Sequence, residues 1–184
     1  MVVCPSSLRF TWAKEIEEWL EIERAHIDVI MTSRQEPKKG SRFCIVSYDL
    51  MSRGDHLVDL PFNIIIADES HYLKNFSSKR SKAVCTMLKA AKRALLLSGT
   101  PALSRPIDLF PQINALRRDL FPSHHQFGIR YCNAHPSKFG WDYTGSSNLP
   151  ELFTMLTNTV LVRRQKSEVL SQLPDKRRQV VYVQ

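Results

Sequence analysis

The run Ile64-Ile65-Ile66-Ala67 ends abruptly in Asp68-Glu69-Ser70-His71. Apolar residues give way at once to two carboxylates, a hydroxyl and an imidazole. A continuous apolar run reads as a strand buried on both faces. Unpaired carboxylates cannot follow it into a core, so they emerge at its C-terminal end. In open α/β sheets that edge is where ligands bind. An Asp there can hold a hydrated Mg²⁺ on a nucleotide, and the next Glu can orient or activate a water. The same residues also suit an acidic strand end that merely caps the next turn.

A second tip shifts the balance. Thirty residues after Asp68, the run Ala94-Leu95-Leu96-Leu97 is broken by Ser98-Gly99-Thr100-Pro101. One helical stretch, residues 77–91, lies between, with Ala83, Met87, Leu88 and Ala91 on one side. Parallel strands joined by one crossover helix usually lie close together, so both tips are expected to face one cleft. A Ser/Thr pair beside carboxylates can sense phosphate or water through hydrogen bonds. Gly99 would let the backbone turn tightly and Pro101 would stop the strand. Alone, Ser98 to Pro101 is an ordinary turn; paired with the acidic tip it outlines a nucleotide cleft.

The other elements must position these tips. Val2-Val3-Cys4 reads as a strand stopped by Pro5-Ser6-Ser7. Trp12, Ile16, Trp19 and Leu20 fall at helical spacing, and Phe10, Trp12 and Trp19 are assigned to the core. Residues 27–31 and 43–46 read as further strands, the latter running into Ser47-Tyr48-Asp49 and a short helix. Strands alternate with helices to about residue 110, the signature of an α/β fold with a parallel sheet. Residues 111–158 read as a helical protrusion with a Gly/Ser-rich loop at 136–147. Trp141 and Tyr143 in that loop suit an exposed surface, with packing favoured over nucleic-acid contact. Asn148 and Glu151 resemble a helix N-cap with its reciprocal acid. Val160-Leu161-Val162 could return to the sheet, and residues 159–184 close the unit with a short helix, a basic turn and a final strand at 179–183.

Composition sets bounds. The chain has 184 residues, 43% hydrophobic, with a net charge of +8. A pI near 9.5 points to an anionic partner, most simply nucleic acid, or to a merely soluble basic protein. Cys4, Cys44, Cys85 and Cys132 show no CxxC spacing, and His124, His125 and His135 lack partners at ligand spacing, which argues against zinc. Cys4 and Cys44 sit in apolar runs as small core residues, which suits a reducing compartment. No run approaches the ~20 apolar residues a bilayer needs, so a soluble intracellular protein is expected.

These motifs carry a resemblance. Asp68-Glu69-Ser70-His71 and Ser98-Gly99-Thr100-Pro101 look like motifs II and III of superfamily 2 helicases. Val3 to Leu8 with Trp12 resembles motif Ia of the Swi/Snf-type DNA translocases, and Ser47-Tyr48-Asp49 occupies the place of motif Ib. Residues 161–174 resemble the block that closes the first motor lobe. Tyr131 to Ala134, Trp141-Asp142 and Gly145 to Leu149 are similar to the annealing-helicase (HepA-related, HARP-like) branch. The resemblance covers essentially the whole chain. It implies a RecA-like parallel sheet flanked by helices, lobe one of a P-loop NTPase, with a helical protrusion. The segments would be 1–110 (motifs Ia to III), 111–158 (protrusion) and 159–184 (end of lobe one and link towards lobe two).

The resemblance also implies roles. Asp68 would bind Mg²⁺ through water, Glu69 would position the hydrolytic water, and His71 would couple the nucleotide site to the DNA side. Ser98, Gly99 and Thr100 would link ATP hydrolysis to lobe movement. Pro5, Ser6, Ser7, Arg9, Ser47 and Tyr48 would touch a DNA backbone, where amides after Pro5 can donate to phosphate without reading sequence. Arg163, Arg164 and Lys166 would add phosphate contacts or hold the second lobe, although a charge run is usually a solvated face. The implied activity is ATP-dependent rewinding of DNA and remodelling of replication forks in the nucleus, with no membrane role. The parent protein would be a DNA-dependent ATP hydrolase.

The sequence also departs from that pattern. No GxxxxGK[ST] occurs in the 184 residues, so the loop that cradles the triphosphate is expected upstream, and a second lobe with its arginine finger downstream. The chain alone is therefore expected to lack ATPase activity and to expose an apolar sheet edge beside the strand ending at Ser98, with marginal stability. The alternative is a non-catalytic DNA-binding or regulatory fragment. A metal-dependent hydrolase using Asp68, Glu69 and His71 would need further ligands at other strand ends, and none stands at a convincing position.

Overall fold

The computed structural model describes residues 1–99, 105–138 and 140–164. Five parallel strands form the central sheet: β1 (Val2–Cys4), β2 (Ile27–Val29), β3 (Phe43–Ser47), β4 (Ile64–Ala67) and β5 (Arg93–Leu96). Their order is β2-β3-β1-β4-β5, so β1 is central and β2 and β5 are the outer strands. Helices α1 (Arg9–Leu20), α2 (Tyr48–Met51) and α3 (Lys79–Ala90) make the connections.

Alternation along each strand decides which helix it meets. Val2, Cys4, Ile27 and Ile45 pack with Ala13 and Ile16 of α1. Val3, Val46 and Ile65 point the other way, onto Met51, Leu73, Val84, Met87 and Leu88. Each such aliphatic contributes about 1.5–3 kcal/mol when fully buried. Helix α1 stops where Glu21 turns left-handed at φ 49°. Helix α3 starts where the Ser78 hydroxyl accepts the Ser81 amide. Cys4 and Cys44 are buried free thiols, and burial, the largest cause, pushes both up to about 12.

Beyond the sheet lie α4 (Phe110–Leu116), α5 (His124–Tyr131), a hairpin of β6 (His135–Ser137) and β7 (Gly140–Asp142), and α6 (Leu149–Thr159). Residues 110–115 are all buried because α4 is packed between α3 and a separate aromatic cluster. That cluster holds Phe110, Phe121, Phe127 and Tyr131, with ring centroids 5.0–5.6 Å apart.

Several expectations change. The strand at 94–97 is not buried on both faces: Leu95 is 46% and Leu97 39% exposed. The reason is position, since β5 is the outermost strand on its side. Residues 161–164 carry no regular structure, so 160–162 does not rejoin the sheet. Instead these residues line a groove of about 710 Å³ beside β5, shared with Leu95, Leu97, Leu152 and Leu156. Phe10 and Trp19 are not core residues; Trp19 is 76% exposed and donates its indole N–H to Glu15 one turn back. The loop at 136–147 contains the hairpin. Asn148 has φ 48° and its side chain makes no cap bond to its helix, while Glu151 pairs with Arg130 and accepts from the Tyr131 hydroxyl. The helix, basic turn and strand expected after residue 165 lie outside the described residues.

Two tests follow from this architecture. Leu95→Lys places a charge on the open flank of β5 and is expected to reduce concentration-dependent self-association in sedimentation velocity; association unchanged by the charge would count against edge pairing. Burial, and secondarily the neighbouring His125, lowers the pKa of the His124 imidazole. The folded state therefore disfavours the protonated ring, and stability is lost as pH falls below the ordinary value of about 6.5, where the unfolded chain takes up the proton first. His124→Phe is expected to flatten the decline in urea midpoint between about pH 7 and 5.

Candidate functional site

Parallel pairing brings the strand ends together. Ile64 to Ala67 pair in register with Arg93 to Leu96, and the ladder continues as Leu97 donates to Ala67 O at 2.9 Å. Ser70 then donates its amide to Leu97 O at 2.8 Å. The acidic and hydroxyl tips thus share one rim of one sheet. Pro5-Ser6-Ser7 after β1 and Ser47 at the end of β3 emerge on the same rim, because all these strands are parallel.

Asp68 is held from several directions. Its amide donates to Val3 O at 2.8 Å, extending the pairing with β1. The Tyr48 hydroxyl donates to its carbonyl at 2.8 Å. One carboxylate oxygen accepts the Trp12 indole N–H at 2.8 Å, and the other accepts the Glu69 amide at 2.9 Å. Glu69 itself sits at φ 50°, ψ 49°, a left-handed conformation that a non-glycine residue adopts at a cost of about 1–3 kcal/mol. This kink sends the chain into a 3₁₀ helix, Ser70–Leu73.

His71 on that helix lies between the tips. Its Nδ1 is 3.1 Å from the Glu69 carboxylate and 3.5 Å from the Ser98 hydroxyl. Ser70 is buried and donates its hydroxyl to Gln112 Oε1 at 2.8 Å, tying the rim to α4. Tyr72 stacks on Tyr48 with centroids 5.2 Å apart, and Arg80 lies over the Tyr72 ring. Burial, then the charge of Asp68, raises the pKa of Tyr48, so its hydroxyl stays a donor.

The remaining expected site residues are placed as follows. Ser6 and Ser7 are exposed at the start of a 3₁₀ turn, Ser6–Leu8. Arg9 donates to Ser6 O at 3.2 Å and to Ile30 O at 2.6 Å, fastening that turn to the end of β2. Ser47 is buried and caps α2 by accepting from Leu50, and Tyr48 is buried beneath Tyr72. Gly99 is exposed, with open space where a Cβ would stand and no left-handed φ, so the turn does not require glycine. Arg163 and Arg164 are exposed after α6, and Arg163 lines the groove beside β5. Thr100 and Lys166 lie outside the described residues. Sequence reasoning missed Trp12, Ser70 and Gln112. Trp12 read as core, yet an indole N–H wants an acceptor when packed.

With this geometry in place, comparison with known proteins is informative. The SNF2-related domain model matches residues 1–184. The chain belongs to the SNF2-related domain family. It is 51% identical over 184 residues to the Xenopus tropicalis "SWI/SNF-related matrix-associated actin-dependent regulator of chromatin subfamily A-like protein 1", covering all of this chain and 19% of that protein. It is 45% identical over 190 residues to the Mus musculus "DNA annealing helicase and endonuclease ZRANB3", covering 97% of this chain and 18% of that one. The chain therefore spans about a fifth of these relatives. The fold matches the Sulfolobus solfataricus "SWI2/SNF2 ATPase core in complex with dsDNA" with a TM-score of 0.72 at 23% identity, covering 94% of this chain and 35% of that chain. The expected RecA-like sheet flanked by helices and the annealing-helicase resemblance both agree with these matches.

The Trp12–Asp68 bond has a direct test. A double-mutant cycle of Trp12→Phe and Asp68→Ala, read by urea unfolding, is expected to give a coupling of about 1 kcal/mol or more, as for hydrogen bonds to charged groups. Additive effects would show that the indole does not hold the carboxylate.

Proposed function

We propose that this SNF2-family chain is part of an ATP-dependent DNA translocase of the annealing type, acting on branched or forked DNA in the nucleus. The observation that supports this most is the shared rim, where Glu69, His71 and Ser98 meet within hydrogen-bonding reach above paired β4 and β5. Among the described residues no group of three or more His, Cys, Asp or Glu could hold a metal unaided. A single strand-end carboxylate, completed by waters and substrate phosphates, is how Mg²⁺ is commonly held, so Asp68 fits that role. When bound with ATP, Mg²⁺ would neutralise charge developing on the phosphates.

The chain's own residues then divide the work. Trp12 and Tyr48 orient Asp68, and both follow rim loops, after β1 and β3. Glu69 places a water, held through His71. His71 reaches Ser98 as well, so a shift at the carboxylate is passed to the hydroxyl tip. The turn after Pro5 would meet phosphate with backbone amides and the exposed Ser6 and Ser7. Since Ser47 and Tyr48 are buried, their segment would contribute support rather than side-chain contact. Arg163, Arg164 and Lys166 would serve DNA or a second lobe. The open flank of β5 would receive a further strand bearing the triphosphate loop, which the 184 residues do not contain. No helix among the described residues is long and apolar enough to cross a membrane.

The net charge of +8 also suits, as a second reading, a DNA-binding or regulatory piece without chemistry of its own. Two assays separate the cases. In the longer parent polypeptide, Glu69→Gln is expected to lower DNA-stimulated ATP turnover at least about a hundredfold while DNA binding persists; retained turnover removes Glu69 from the role. The 184-residue chain alone is expected to show no turnover on forked DNA, and DNA-stimulated hydrolysis by the pure chain would refute that.

A further inference from the structure

Between Glu69 and Asp108 the chain has no acidic residue, yet it carries eight lysines and arginines, as many positive charges as the net excess of the whole chain. Helix α3 lies in this stretch and displays much of that charge. Its exposed residues are Lys79, Lys82, Thr86, Lys89 and Ala90. Its opposite side, with Val84, Met87 and Leu88, is buried in the core beneath the sheet. Lys79, Lys82, Thr86 and Lys89 recur at steps of three and four, so they form one outward stripe. At 1.5 Å per residue the stripe is about 15 Å long. Lys92 and Arg93, both exposed, carry the positive charge past the helix end to the start of β5.

No carboxylate balances this stripe. Among the described residues no ion pair reaches Lys79, Lys82, Lys89, Lys92 or Arg93. Arg80, on the flank of α3, meets Asp49 at 3.9 Å and lies over the Tyr72 ring. Lys89 donates to Asn114 of α4 at 2.8 Å, an uncharged partner that aims the ammonium without cancelling it. Just past α4, Asp119 is held by Arg117 through two bonds, and Arg118 is exposed. The placement also costs the helix stability. No acid stands in the first turn of α3, where Lys79 and Arg80 face the positive end of the helix dipole. Lys79 and Lys82 repel each other at their spacing. Cations kept where their own fold disfavours them mark a surface shaped by something outside it.

We propose that the outward face of α3 binds the sugar-phosphate backbone of duplex DNA, as a second seat separate from the rim. No large apolar side chain is exposed between Phe76 and Leu95. The face therefore lacks the aromatic or aliphatic anchor that centres a protein interface, and the platform on which a single strand stacks. A duplex needs neither. It carries one charge per about 1.7 Å of axis, so the stripe would face roughly nine of them. Direction separates this seat from the rim. Parallel β4 and β5 both start at the edge opposite the rim, so α3 runs back from the rim to that edge. DNA along the stripe leads away from DNA on the rim, as the two arms of a branched substrate do. The seat rests on the reading that the chain acts on branched DNA, and it deepens that reading by giving the second arm a surface of its own.

The test is fluorescence anisotropy of the 184-residue chain across a range of salt, with a labelled fork bearing two duplex arms and with a linear duplex. Circular dichroism checks the fold of each variant. The stripe variant, Lys79→Ala with Lys82→Ala and Lys92→Ala, is expected to weaken fork binding about tenfold or more. It is also expected to lower the slope of log affinity against log salt by about 2–3, since each phosphate contact contributes about 0.9. Its loss on the linear duplex is expected to be smaller, because one arm can still sit on the rim. Arg at the same three positions is expected to keep the wild-type slope, as a charge contact allows. A matched loss of charge elsewhere, Lys14→Ala with Lys38→Ala and Lys39→Ala, is expected to change the slope by less than about one. Equal slopes for the stripe variant and the matched control, or equal losses on fork and linear duplex, overturn the α3 seat and spare the reading that the chain acts on DNA. Failure of the wild type to bind either DNA overturns both. Tighter binding of poly-glutamate than of DNA, lost in the stripe variant, overturns the seat in favour of an acidic protein partner.

Discussion

The site depends on how the end of β4 is held. Asp68 cannot move without breaking bonds on several sides: its amide to β1, its carbonyl to Tyr48, its carboxylate to Trp12 and to the Glu69 amide. Hydrogen bonds to a charged group contribute about 1.5–3 kcal/mol each. The partners come from different connections of the sheet, so one residue, through its amide, carbonyl and carboxylate, is tied to β1, α2 and α1 together. A half-buried charge of this kind is stable only while all its donors stay in place, which makes it a sensitive junction rather than a passive ligand.

Glu69 makes the junction sharper. A left-handed residue directly after a parallel strand costs free energy locally, and the surroundings must offset it. The offset is visible in Ser70. Its amide closes onto Leu97 and its hydroxyl onto Gln112, which in turn donates to Asp108 O. The kink therefore turns the chain from sheet geometry into a 3₁₀ helix while satisfying its buried polar groups. Without it, His71 would continue along the strand direction and could not lie between Glu69 and Ser98.

The two tips were legible in the sequence because an apolar run that ends in charge has few places to go. Their juxtaposition was legible because one crossover helix separates them. What could not be read was anything that depends on a distant partner. Trp12 has core spacing on α1, and only the fold places it against a carboxylate 56 residues away. Asn148 and Glu151 spell a capping box, but Arg130 and Tyr131 capture the acid from another helix. Leu95 and Leu97 have the composition of a central strand, and only sheet order makes them exposed. Ser47 and Tyr48 stand where the family motif would touch DNA, yet local geometry turns one into a helix cap and buries the other.

The protrusion is not an independent appendage. Helix α4 is buried along residues 110–115, with α3 on one side and the aromatic cluster on the other. Gln112 on that helix holds Ser70, and Cys85 of α3 contacts Pro111 O. Closely packed interiors transmit displacement instead of absorbing it. A rotation of the 3₁₀ helix that carries His71 must therefore either drag α4 or break the Ser70–Gln112 bond, whose two residues line the groove beside β5. The same rotation moves Lys74 at the far end of that helix. The rim and the protrusion are thus joined through the covalent chain and through the Ser70–Gln112 bond to α4.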